Sequence, residues 1–211
     1  MMKPAIPQTD FSETTLSSKP VYEGRLLTVR EDEVRLPDGK QARREYIEHP
    51  GAVIIIAELD DGQLVIERQY RYALRRHLIE LPAGKIEPGE DPLLTAQREM
   101  LEETGYVARE WRHVFTAYPC IGYSDERMLF YLAKELTLRK PQLDDGEFLD
   151  VFTLTLADAL ALVDAGDITD IKTITGLFWL ERFRRGQVLA RQDVSSLPLN
   201  RDSPLSPCGR G

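Results

Sequence analysis

Between Gly84 and Tyr106 the chain reads G-K-I-E-P-G-E-D-P-L-L-T-A-Q-R-E-M-L-E-E-T-G-Y, a Gly/Pro-rich loop running into a stretch that closes on Gly105. The loop predicts a helix beginning near Asp91 or Pro92, since proline is well tolerated in a first helical turn. At roughly 100° per residue, offsets of three and four return to nearly the same azimuth. Glu99, Glu102 and Glu103 would therefore project together from the last turns. Acids stacked near a helix C-terminus repel one another and meet a negative dipole, which costs stability. A divalent cation reverses that argument, because Mg2+ accepts carboxylate oxygens while keeping waters and binding substrate phosphates. As a bare fragment, E-x-x-E-E also suits a solvated acidic face.

The neighbouring residues have readable roles. Gly84 and Gly89 allow close backbone approach, so the loop from Ala83 to Gly89 can present carbonyls to an ion. Arg98 stands eight residues after Glu90 and can pair with it, holding the loop against the helix. The run fits G-x5-E-x7-R-E-U-x-E-E-x-G-U, with U a bulky apolar residue, through Gly84, Glu90, Arg98, Glu99, Met100, Glu102, Glu103 and Gly105. It resembles the signature box of the Nudix hydrolases, which cleave nucleoside diphosphates linked to another moiety. Tyr106 occupies the last apolar position, where an aliphatic residue is usual, and the change bears on packing beneath the helix. The resemblance implies Mg2+, or Mn2+ in its place, held by Glu99 and Glu103 with help from Glu102 and the Ala83 carbonyl. It makes Glu90 and Arg98 a structural brace.

With 211 residues, 42% hydrophobic, the chain suits one domain with a full core. The net charge of -8 argues against a nucleic-acid surface, which draws its affinity from clustered Lys and Arg. Cys120 and Cys208 lie far apart without metal-ligand spacing, so neither a disulfide framework nor a zinc site is expected. The start, M-M-K-P-A-I-P-Q-T-D, lacks the apolar core of a signal peptide, and no segment is long enough to span a membrane. The expectation is a soluble cytoplasmic protein.

Residues 1–18 read as a flexible polar N-terminus, 19–190 as a single domain and 191–211 as a flexible tail. Within the domain, 19–48 reads as an antiparallel β meander, with strands at Val21–Arg30, Glu31–Leu36 and Gln41–Glu48 around the turn Pro37-Asp38-Gly39. Ala52–Ala57 is a buried strand, and Leu64–Arg71 is expected to return as its hairpin partner after Asp60-Asp61-Gly62. Further strands are expected at Trp111–Tyr118, Arg127–Leu136 and Val151–Leu154, and helices at Leu156–Asp164 and Ile171–Arg184. The sum is an α/β protein with a mixed sheet between helices, matching the α/β/α sandwich that the Nudix resemblance implies.

Four strings extend the resemblance to the ADP-ribose pyrophosphatase branch: Arg43-Arg44-Glu45, Arg68-Gln69-Tyr70-Arg71, Gly122 to Arg127, and Asp144-Asp145-Gly146-Glu147. That branch implies Arg44 and Arg71 on the diphosphate or base and Glu126 on the ribose. Guanidinium chemistry allows either role for the arginines. It also implies a base from the loop after the box, here Glu147 or Asp145, with Glu102 joining the catalytic group. Ile121 stands where the branch usually has proline, which leaves GDP-mannose, other nucleotide sugars and dinucleotides open beside ADP-ribose. A pocket that senses a nucleotide without cleaving it is the other class. The meander implies a homodimer, since in relatives such strands cross to a partner subunit.

Overall fold

A computed structural model describes residues 5–139 and 148–188. Its elements run β1 (Thr14–Glu23), β2 (Thr28–Arg35), β3 (Gln41–Glu48), β4 (Ala52–Ala57), β5 (Gln63–Arg71), β6 (Arg76–Glu80), β7 (Ala83–Lys85), α1 (Pro92–Glu99), β8 (Tyr106–Ala117), β9 (Met128–Leu138), β10 (Leu149–Thr155), α2 (Leu156–Ala165) and α3 (Ile171–Arg184). The strands form an antiparallel β1-β2-β3 sheet, a β10-β5-β6 sheet, and a mixed β7-β4-β9-β8 sheet in which β4 and β9 are parallel.

β4 is apolar throughout because both its faces are covered. Ile54 and Ile56 join Leu156, Ala159, Leu177 and Leu180 of α2 and α3, while Val53, Ile55 and Ala57 join Ala96 of α1 and Met100. Full burial of such a side chain is worth about 1.5–3 kcal/mol, so this strand anchors both cores. β5 alternates in step, with Leu64 and Ile66 in the first cluster and Val65 in the second. The layers are therefore helix, sheet, helix, as the sequence reading expected.

β5 is not the hairpin partner of β4. One edge of β4 pairs with β7 and the other with β9, which leaves no edge for β5. The turn at 60–62 does form just past β4, with Glu58 bridged to Leu64 and Leu59 N–H donating to the Gln63 carbonyl at 2.9 Å, but β5 then pairs with β6 and β10. A second difference lies at the start of the chain, where β1 begins at Thr14, inside the stretch read as a flexible terminus. The expected strand Val21–Arg30 is broken by a turn that Gly24 N–H closes on the Leu27 carbonyl at 2.9 Å. Every residue of β1 is exposed, so neither face carries the apolar alternation that marks a strand. No helix among the described residues is long and apolar enough to cross a membrane.

Candidate active site

The signature run folds as its chemistry suggests. Asp91 caps α1 by accepting from Leu93 N–H at 2.9 Å and Leu94 N–H at 3.3 Å, with Pro92 as the first helical residue. Beyond Glu99 the helix widens into a π-helical turn, Met100–Thr104, which ends on Gly105 at φ 73°. Such turns are rare, and they frequently mark functional sites. Met100, Glu103 and Thr104 are buried there.

Two of the three glutamates converge on one short piece of backbone. Glu103 accepts from the Ala83 N–H at 3.2 Å. Glu99 lies against Gly84 so closely that a Cβ there would stand 1.9 Å from the Glu99 carboxyl carbon. Only glycine leaves this cradle open. Glu102 accepts from Arg98 Nη1 at 2.8 Å, the same nitrogen that stands 3.0 Å from Glu99. Arg98 also forks onto Glu90 through Nε and Nη2, both at 3.0 Å, and lies 3.0 Å from Glu99. The hydrogen bonds from Arg98 hold the Glu90 carboxyl down at about 2, against the opposing effect of burial.

Among the described residues no three His, Cys or acidic side chains stand close enough together to form a ready metal cage. The donor chemistry nonetheless fits a hard divalent ion, because Glu99 and Glu103 supply carboxylates around the Ala83-Gly84 backbone. Arg98 offsets the repulsion among these acids, since it meets Glu90, Glu99 and Glu102 together.

Arg71 is fixed rather than free. Its Nε and Nη2 close a fork on Glu80 at 2.8 and 2.6 Å. That hydrogen bonding raises its pKa, with smaller contributions from Glu67 and Glu103, so its charge lies within the field of the acid cluster. Glu80 also receives Lys172, which is 2.9 Å from Asp170. Sequence reasoning missed Glu80 and Lys172. The available signal was an acid inside the apolar run Leu78-Ile79-Glu80-Leu81.

Arg44 lies on β3 and pairs with Glu13 at 2.5 Å, in the N-terminal sheet. Glu126 stands 3.9 Å from His49 Nδ1, in a loop tied to β3 by Ile47 N–H donating to the Tyr123 carbonyl at 2.8 Å. Asp145 and Glu147 lie outside the described residues. The open cleft of 440 Å³ among Arg109, Trp111, Arg112, Leu132, Lys134 and Phe183 shares no residue with the acid cluster.

A family model described as the NUDIX domain matches residues 48–174, and one described as the nucleoside diphosphate sugar hydrolase N-terminal domain matches residues 13–47. The chain is 39% identical over 173 residues to an ADP-ribose pyrophosphatase of Bacillus subtilis, covering 81% of this chain and 94% of that protein. It is equally similar, at 39% over 175 residues, to a methanol dehydrogenase activator of Bacillus methanolicus, covering 81% and 94%. An ADP-ribose pyrophosphatase of Mycobacterium tuberculosis is 37% identical over 77% of this chain and 80% of its own. A crystal structure of an ADP compounds hydrolase superposes with a TM-score of 0.75 at 24% identity, covering 86% of this chain and 98% of that one, and so shares the fold. With a NUDIX model over more than half its length and these relatives along most of it, the chain belongs to the Nudix hydrolase family, on its ADP-ribose pyrophosphatase-like branch.

Proposed function

We propose that the enzyme hydrolyses the pyrophosphate bond of ADP-ribose, giving AMP and ribose 5-phosphate, and that it needs Mg2+ to do so. The observation that carries this reading is the convergence of Glu99 and Glu103 on the Ala83-Gly84 backbone, within the field of a fixed Arg71. Relatives named ADP-ribose pyrophosphatase over most of the chain support the choice of substrate.

The chemistry a divalent ion supplies at such carboxylates is neutralisation of phosphoryl oxygens and acidification of water. Glu99 and Glu103, with Glu102 and the Ala83 carbonyl beside them, would hold it. Arg71 spends its Nε and Nη2 on Glu80, so its Nη1 edge remains to grip the diphosphate. Arg44 and Glu126 are proposed to bind the base and ribose. In the reaction, water oxygen bonds to one phosphorus while the bridging oxygen leaves on the other. The water proton passes to a carboxylate, for which Glu147 and Asp145 remain the proposed bases. Glu90 and Arg98 brace the loop between α1 and β7, the strand that carries Ala83 and Gly84.

A GDP-mannose pyrophosphatase of Citrobacter koseri, 30% identical over 67% of this chain and 78% of its own, favours a nucleotide sugar as the second reading. The test is a panel of nucleoside diphosphate derivatives with Mg2+ or Mn2+, with products read by mass. AMP released fastest from ADP-ribose supports the first reading, and GMP released fastest from GDP-mannose the second. Ligand bound but recovered uncleaved would make the pocket a sensor. The exposed N-terminal sheet further supports a homodimer.

A further inference from the structure

Glu80 ends β6 with its side chain 1% exposed, between cations from two different elements. Arg71 of β5 closes its fork on both oxygens, and Lys172 of α3 reaches the Oε2 that Arg71 Nη2 also uses. Lys172 is itself 2.9 Å from Asp170, the residue that caps α3 by accepting from Thr173 N–H at 3.0 Å. The start of the helix thus sets where the ammonium stands. Thr173 Oγ1, in the same turn, accepts from Leu81 N–H at 2.8 Å, one residue beyond Glu80. Helix and strand are therefore pinned together at this point.

Burial alone would push the Glu80 carboxyl up, but Arg71 and Lys172 override it and keep the group below its ordinary value. A buried carboxylate paired with a single cation makes a neutral pair, whose attraction for a third, anionic group is weak. With Lys172 sharing the load, Arg71 is oriented by Glu80 yet retains charge on the Nη1 edge, where an anion can meet it.

We propose that Lys172 is a positioning residue for hydrolysis: by neutralising Glu80 it lets Arg71 stand as a fixed fork that still attracts a diphosphate. The inference rests on Arg71 binding the diphosphate, as proposed above. Lys172 acts through Glu80 and Arg71 and needs no contact with substrate. A purely structural tie between α3 and β6 would instead lower the melting temperature and leave KM where it was.

Steady-state kinetics of the full chain with ADP-ribose and Mg2+ test this. Lys172→Met is expected to raise KM about tenfold with kcat within about twofold, and Lys172→Arg to bring KM back to within about threefold of wild type. In a Glu80→Gln background there is no buried charge left to neutralise, so Lys172→Met should then change KM by less than about twofold. That double variant leaves no lone buried acid to destabilise the fold. An unchanged KM in Lys172→Met overturns the proposal, and so does an effect that persists in full beside Glu80→Gln. Should Lys172→Met fail to fold, Lys172→Gln replaces it with the same outcomes, since it keeps a donor while removing the charge. Arg71→Lys separates the two readings. An unchanged KM there removes Arg71 from the diphosphate site, whereas a raised KM there with a silent Lys172→Met sinks only the role of Lys172.

Discussion

At the scale of single residues, the site depends on a side chain that is missing. Glu99 reaches the β7 backbone because residue 84 is glycine, and a methyl group there would overlap the carboxylate at 1.9 Å. The overlapping atoms are the far end of a flexible glutamate, so Gly84→Ala should move Glu99 rather than unfold the chain. Its expected signature is a normal melting curve with activity and apparent Mg2+ affinity each down about 10–100-fold, the usual cost of misplacing a ligand. Unchanged Mg2+ dependence in a folded Gly84→Ala would remove Glu99 from the metal site. Glu103 gives the complementary case, since Glu103→Gln keeps an oxygen to accept from Ala83 N–H but loses the charge. Hydrolysis should then fall by about 100-fold or more while the circular dichroism spectrum is retained. Full activity in that variant would reject the carboxylate as a ligand.

At the scale of elements, the loop before α1 is held by the fork between Glu90 and Arg98, a link whose worth depends on pH. Hydrogen bonds from Arg98 bring the Glu90 carboxyl to about 2 from an ordinary 4.5. A depressed acid stabilises the fold fully above its unfolded value, and that contribution is lost as pH falls through the folded value. The difference in unfolding free energy between wild type and Glu90→Gln should therefore be constant above about 4.5 and close toward zero near 2. Urea unfolding of both proteins across that window measures it, and a gap that persists at the acid end would show that the fork acts other than by charge. This fork was legible in the sequence because both partners lie within one motif. So were α2 and α3, whose bounds follow the helical periodicity read at Leu156–Asp164 and Ile171–Arg184. Local caps and local periodicity carried those elements. The failures were non-local. Pairing of β4 with β7 and β9 depends on strands that arrive later in the chain, and Lys172 meets Glu80 across 92 residues. β1 was set too late because a strand exposed on both faces leaves no apolar pattern.

At the scale of the whole molecule, the N-terminal sheet has too little core to stand alone. Of its residues only Asp32 and Val34 are buried, while Leu16, Val21 and Tyr22 face solvent. Three strands without a covered face are marginally stable, and exposed apolar side chains grouped on one sheet mark an interaction surface. A second copy of the chain would cover it through a twofold contact. Light scattering should then give twice 24.1 kDa, and Val21→Glu should shift the protein toward monomer. The same arrangement bears on Arg44, which sits in this sheet and not among the acids around Ala83. If its guanidinium serves the partner's site, Arg44→Ala on one subunit and Glu103→Gln on the other damage the same site of a mixed dimer. One site of each mixed dimer then keeps both residues, so refolding the two inactive variants together in equal amounts should recover about a quarter of wild-type activity. Were Arg44 to act within its own subunit, no site in the mixture would be intact and activity would stay at the level of the separate variants. A monomeric mass for the full chain would reject the shared site before any mixing is done.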